Sequence, residues 1–128
     1  MVEVIYWIST ALLSLLYLAS ASLYLTRREW AAKAIVDLGY PAYLVPILIA
    51  AKILGVAAIL SRFSIPLSDL AYAGIFFHLL LSAAAHFGVR KPSGAVPALV
   101  GLLLATASFL TQNGARNLLS PYAPVFGL

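Results

Sequence analysis

The chain has 128 residues, of which 63% are hydrophobic and 9% charged, with no cysteine and a formal net charge of +4. Soluble domains carry about 25% charged residues, so too few polar side chains remain here to coat a water-facing surface. The missing cysteine excludes disulfides, thiolate metal sites and thiol relays within the chain, and the basic excess reads as Lys and Arg flanking membrane spans rather than as a nucleic-acid footprint.

The first apolar stretch covers residues 4–26 without a single charge. About 20 apolar residues in a helix cross a hydrocarbon core of roughly 30 Å. Tyr6 and Trp7 near one end, and Tyr24 and Trp30 near the other, match the aromatic belts of two membrane interfaces. The start, Met1-Val-Glu-Val, lacks the basic flank of a secretory leader, so this stretch is expected to be a retained helix.

Arg27 to Asp37 mixes charged and apolar residues and predicts a short amphipathic helix on the membrane surface. Gly39 and Pro41 then turn the chain. A second span is predicted over residues 41–61, with Pro46 in its first turns and Lys52 as its only charge. After a tight connection, a third span is expected over 69–88, capped by Ser68 or Asp69. Arg90-Lys-Pro-Ser-Gly94 breaks the chain before a fourth span over 95–113, and the tail, with Pro121 and Pro124, is expected to be irregular. The predicted fold is therefore all-α: one integral membrane domain over 1–128, a four-helix transmembrane bundle with an interfacial helix between its first two spans.

Lys and Arg set the expected orientation. The loops after the first and third spans hold Arg27, Arg28, Lys33, Arg90 and Lys91, against Arg62 and Arg116 on the opposite side. The bias places both termini outside and the basic loops in the cytoplasm of a multi-pass cell-membrane protein.

Polar residues then suggest which faces meet. Thr10, Ser14, Tyr17, Ala21 and Tyr24 share one stripe of the first span; Ala98, Gly101, Ala105, Ser108 and Gln112 share one of the fourth. Small, weakly polar side chains let membrane helices approach closely, so Gly101, Ala105 and Ser108 are expected in packing seams, as is Gly55 beside Lys52. The alternative is that such stripes line a ligand cavity.

Lys52 lies near the bilayer centre, where a charge costs about 3 kcal/mol on insertion scales. It is expected to face the interior, give up its proton or find a partner. His78 falls at a comparable depth, as do Tyr17 and Ser14, with Ser82 one turn away; these five are the candidate ligand-holding or proton-handling groups. Asp37 and His86 lie near the same interface and form a second candidate pair. His78 and His86 stand about 12 Å apart along one helix, too far to share an ion, so no metal site is expected. No phosphate loop, metalloprotease motif or nucleophile elbow occurs, and no catalytic residue is named.

The run Trp30…Asp37-Leu-Gly-Tyr-Pro-Ala-Tyr-Leu…Pro46, then Ala51-Lys-Ile-Leu-Gly55-Val-Ala, with Ala71-Tyr-Ala-Gly74 and Ala85-His86, resembles the DoxX-like family of small four-helix membrane proteins. The resemblance extends from Tyr6 to about Phe109. It implies a transmembrane bundle, in a group that includes subunits and accessories of membrane oxidoreductases such as thiosulfate:quinone oxidoreductases. Asp37, Gly39, Pro41, Lys52, Gly55 and His86 match recurring positions of the pattern. His78 departs from it, since relatives are expected to carry an acid there.

Three functions follow as expectations. The first is an accessory, non-catalytic subunit of a quinone-linked redox system, meeting quinone between its helices and partnering a membrane redox enzyme. The second is an assembly factor binding another membrane protein through the small-residue seams. The third is a small carrier or channel, which would need a homo-oligomer because four helices enclose little volume. A self-contained enzyme is not indicated.

Overall fold

The computed structural model describes residues 1–125. Its order is α1 (Val2–Thr26), α2 (Arg28–Asp37), α3 (Leu44–Ser61), α4 (Ile65–Gly88), a 3-10 turn (Pro92–Ala95) and α5 (Val96–Ala115). Four helices, α1, α3, α4 and the segment Pro92–Ala115, are long and apolar enough to cross a membrane. At 25 residues α1 reaches about 37 Å, more than a hydrocarbon core requires.

α1 packs on α5 and α3, and α4 closes the ring against α5 and α3. Short connections make every neighbouring pair antiparallel, an up-and-down bundle. α1 and α4 stand on one diagonal with no close backbone approach. Around the rim, Leu15, Leu54, Leu81 and Leu103 are well exposed, while Thr10, Ser68, Ser108 and Gln112 are at most 1% exposed. Apolar side chains outside and hydroxyls inside suit lipid as the solvent, because an unpaired polar group facing hydrocarbon costs several kcal/mol.

Several helix boundaries differ from those expected. α4 begins at Ile65 rather than near 69. Ser64 takes the cap position, its Oγ accepting from the Leu67 N–H at 3.4 Å, and Pro66 sits in the first turn, where no N–H is needed. Ser68 therefore lies inside the helix, fully buried. α3 starts at Leu44, because Pro41 to Tyr43 form a turn closed by the Leu44 N–H on the Pro41 carbonyl. That turn follows Gly39, whose φ of +95° is readily adopted only without a Cβ. α5 starts at Val96 after its 3-10 lead-in and runs two residues further, to Ala115.

α2 is helical where the amphipathic segment was expected. Its stripe Ala31 and Ile35 packs on Val45 and Ile49 of α3, with Tyr24 of α1 alongside. The described tail carries no helix after Ala115, as expected; its last three residues lie outside the described residues.

The close approach of α5 to α1 and α4 depends on small residues. A Cβ added at Gly101 would meet Leu79 Cδ1 at 2.9 Å and Leu16 Cδ2 at 3.1 Å. Gly101→Leu is therefore expected to destabilise the bundle by about 1–3 kcal/mol through overpacking, read as a lower midpoint of denaturant unfolding in mixed micelles. An unchanged midpoint would show that the helices separate without cost.

Candidate functional site

The interior carries polar groups at three depths. Midway along the helices, the Tyr17 hydroxyl and His78 Nδ1 are hydrogen-bonded at 2.7 Å, linking α1 to α4 across the diagonal of the bundle. Lys52 of α3 completes this layer. Its side chain is 6% exposed, and its Nζ lies 5.3 Å from the Tyr17 ring centroid and 5.0 Å from that of Tyr24. An ammonium at these distances interacts favourably with the ring faces, by about 1–2 kcal/mol when partly desolvated.

Helix geometry makes this layer possible. Lys52 lies near the middle of α3, eight residues from Leu44 and nine from Ser61. His78 and Tyr17 reach the same level from α4 and α1. If the phenol donates to Nδ1, the neutral imidazole carries its proton on Nε2 and retains a donor.

Beside the layer, a groove of about 540 Å³ runs between α3 and α4. Tyr17, Lys52 and His78 line it together with Gly55, Gly74 and Ile75, and no carboxylate does. The volume lies in the range of small-molecule sites, which pair apolar walls with a few polar groups. Gly55 contributes room: a Cβ there would meet only Ile75, at 3.8 Å.

The other expected residues stand apart. Ser14 is buried on the same face of α1 but makes no side-chain hydrogen bond to Tyr17, Lys52 or His78. Ser82 serves through its backbone, its carbonyl accepting from His86 Nδ1 at 2.8 Å. His86 thus satisfies an acceptor within its own helix, and its ring lies against Gly94. Asp37 is exposed at the end of α2, an element not packed on α4, and no hydrogen bond joins it to His86 among the described residues. Gly101, Ala105 and Ser108 are all buried on α5.

Two further polar layers follow; the sequence placed Thr10 and Ser108 on facing seams, but not Tyr72 beside them nor the second layer's partners. Closer to the N-terminal end, Ser108 Oγ is shared by Thr10 Oγ1 and the Tyr72 hydroxyl, each at 2.6 Å. The Tyr6 hydroxyl and Ser68 Oγ are buried in this part of the bundle without partners. At the end itself, Arg62 is buried at 6% exposure. It donates through Nη1 to Gln112 Oε1 at 2.7 Å and through Nε and Nη2 to the Leu118 carbonyl. Arg116 donates to the Ile59 and Leu60 carbonyls, acceptors left over at the end of α3, and its guanidinium lies 5.1 Å from the Trp7 ring centroid. Asn113 holds Ser120 and Ala123. Arg62 and Arg116 are visible in the sequence as basic flanks, but nothing there marks them as the latch for the tail.

Four apolar helices around a polar interior define a multi-pass membrane protein of the small helical-bundle class. The chain belongs to the DoxX-like family, whose family model matches residues 8–108. Comparison with curated proteins and with solved structures finds no match.

Proposed function

We propose that this protein is an accessory subunit of a quinone-linked redox system in the cell membrane, holding a quinone head group in the α3–α4 groove. One observation carries this reading: an amine, an imidazole and a phenol converge on the wall of a lipid-facing groove of about 540 Å³. The fit is chemical. Quinone carbonyls accept hydrogen bonds, and Lys52 and His78 supply donors in surroundings where water does not compete for them. A bound quinone would supply two-electron, two-proton chemistry. The chain's part is to orient the head group, exclude water around it and hold a proton between Tyr17 and His78. The small-residue face of α5 favours this over the assembly-factor reading, because Ala98, Gly101, Ala105 and Ser108 are buried inside the chain and offer no surface to another protein.

In this reading α2 rests on the cytoplasmic membrane surface. Arg27, Arg28, Lys33, Arg90 and Lys91 lie on that side, and both termini lie outside.

The test is thermal unfolding of the purified protein in lipid nanodiscs, with and without a short-chain quinone. Saturable stabilisation is expected, reaching about 2.7 kcal/mol at a hundredfold excess over Kd. A transition that ignores quinone at every concentration would remove the proposal.

A further inference from the structure

A second groove, of about 660 Å³, opens between α4 and α5, across α4 from the Lys52 groove, with Leu70 at the edge of both. Five aromatic side chains line it: Tyr72, Phe76, Phe77, Phe109 and Tyr122. Tyr72 and Phe109 stack edge to face at 5.5 Å, as do Phe76 and Phe77. Asp69 is the one charged residue among those lining it. Its Oδ2 accepts from Ser120 Oγ at 2.8 Å, while its Oδ1 is buried with no hydrogen-bond partner among the described residues. No basic side chain lines the groove to offset the carboxylate.

The groove has a direction. Asp69 lies in the second turn of α4, close to the membrane surface, and Phe77 lies eight residues deeper, about 12 Å further along the helix. One end therefore presents a negative charge and the rest presents apolar and aromatic surface. Carboxylates attract cations strongly where the dielectric is low, and aromatic rings favour cations over neutral groups of the same shape.

We infer that the α4–α5 groove is a binding site for a single-tailed amphiphilic amine, its ammonium at Asp69 and its chain along Phe76 and Phe77. The volume of about 660 Å³ has room for one alkyl chain, and competition with a two-chain lipid decides between the two occupants. The site is separate from the Lys52 groove and does not depend on the function proposed for it.

The experiment measures saturable binding of radiolabelled dodecylamine to the full chain in nanodiscs of an uncharged galactolipid, with empty nanodiscs subtracted. Competition by dodecanol and by phosphatidylethanolamine completes it. Dodecylamine is expected to bind at least tenfold more tightly than dodecanol, which has the same length and can donate a hydrogen bond but carries no charge. Asp69→Asn is expected to abolish that preference while keeping the Ser120 contact, since an amide oxygen also accepts. Phe77→Ala is expected to weaken the amine and the alcohol alike. Equal binding of amine and alcohol by the wild-type chain would overturn the inference without recourse to any variant. An Asp69→Asn chain that folds and keeps its preference would do the same, as would displacement by phosphatidylethanolamine at concentrations comparable to dodecylamine, which would make the occupant a lipid.

Discussion

Replacing Arg62 by methionine is expected to lower unfolding stability by about 3 kcal/mol and to release the C-terminal tail. The guanidinium is buried and gives three of its donors to two acceptors, Gln112 Oε1 and the Leu118 carbonyl. Hydrogen bonds from a charged group contribute roughly 1.5–3 kcal/mol each, though not additively. Methionine matches the aliphatic part of the side chain, so little packing is lost. What remains is an unpaired Gln112 oxygen on a residue with no exposed surface and a freed Leu118 carbonyl. Hydrogen exchange provides the second readout. The Ser120 amide, held by Asn113 Oδ1 at 2.7 Å, is expected to exchange faster by at least tenfold once the tail loses its anchor. Arg62→Met within 0.5 kcal/mol of wild type, with unchanged exchange at Ser120, would show that Arg62 does not hold the tail.

The second large effect concerns Lys52. Lys52→Met is expected to abolish quinone-dependent stabilisation while leaving the unliganded protein as stable as wild type, or up to about 2 kcal/mol more so. Two terms compete. An ammonium at mid-bilayer costs roughly 2.5–3.5 kcal/mol on insertion scales; its contacts with the Tyr17 and Tyr24 rings return about 1–2 kcal/mol. No carboxylate lines the groove to return more. The desolvation cost is the larger, so the lysine is expected to weaken the fold it sits in. Unfolding in mixed micelles measures the first quantity, and the quinone titration measures the second. If Lys52→Met lost several kcal/mol and still responded to quinone, the lysine would be a structural prop and the groove would bind without it.

Much of the architecture can be read along the chain. Long apolar stretches demand helices in lipid, since only a helix satisfies its backbone within one segment. Boundaries were less legible. α4 starts four residues early because Ser64 and Pro66 together make a better N-terminus than Ser68 and Asp69 do, and two competing cap signals that close cannot be ranked without the fold.

The candidate site was legible by depth alone. Lys52, His78 and Tyr17 could be placed in one layer from their distances to the helix ends, whereas Ser14 and Ser82, equally well placed in depth, are not joined to them. Rotation about the helix axis decides this, and a nearly uniform apolar face gives no strong signal of rotation. Asp37 and His86 illustrate the same point: both lie near one interface, yet α2 packs on α1 and α3 and leaves α4 alone.

Composition and spacing by themselves determined that the chain is an all-helical bundle, how many of its helices are long and apolar enough to span a membrane and how far along them the charges lie, because the bilayer imposes a length and a polarity on every segment independently. Only the tertiary structure decided that Tyr17 bonds His78 across the diagonal, that two phenol rings shelter Lys52, and that Arg62 ties down a tail some 50 residues further along the chain. Those partnerships are long-range. Each depends on how helices rotate and pair, and pairing is settled by close packing at residues such as Gly101 and by side-chain bonds between helices such as that of Thr10 with Ser108.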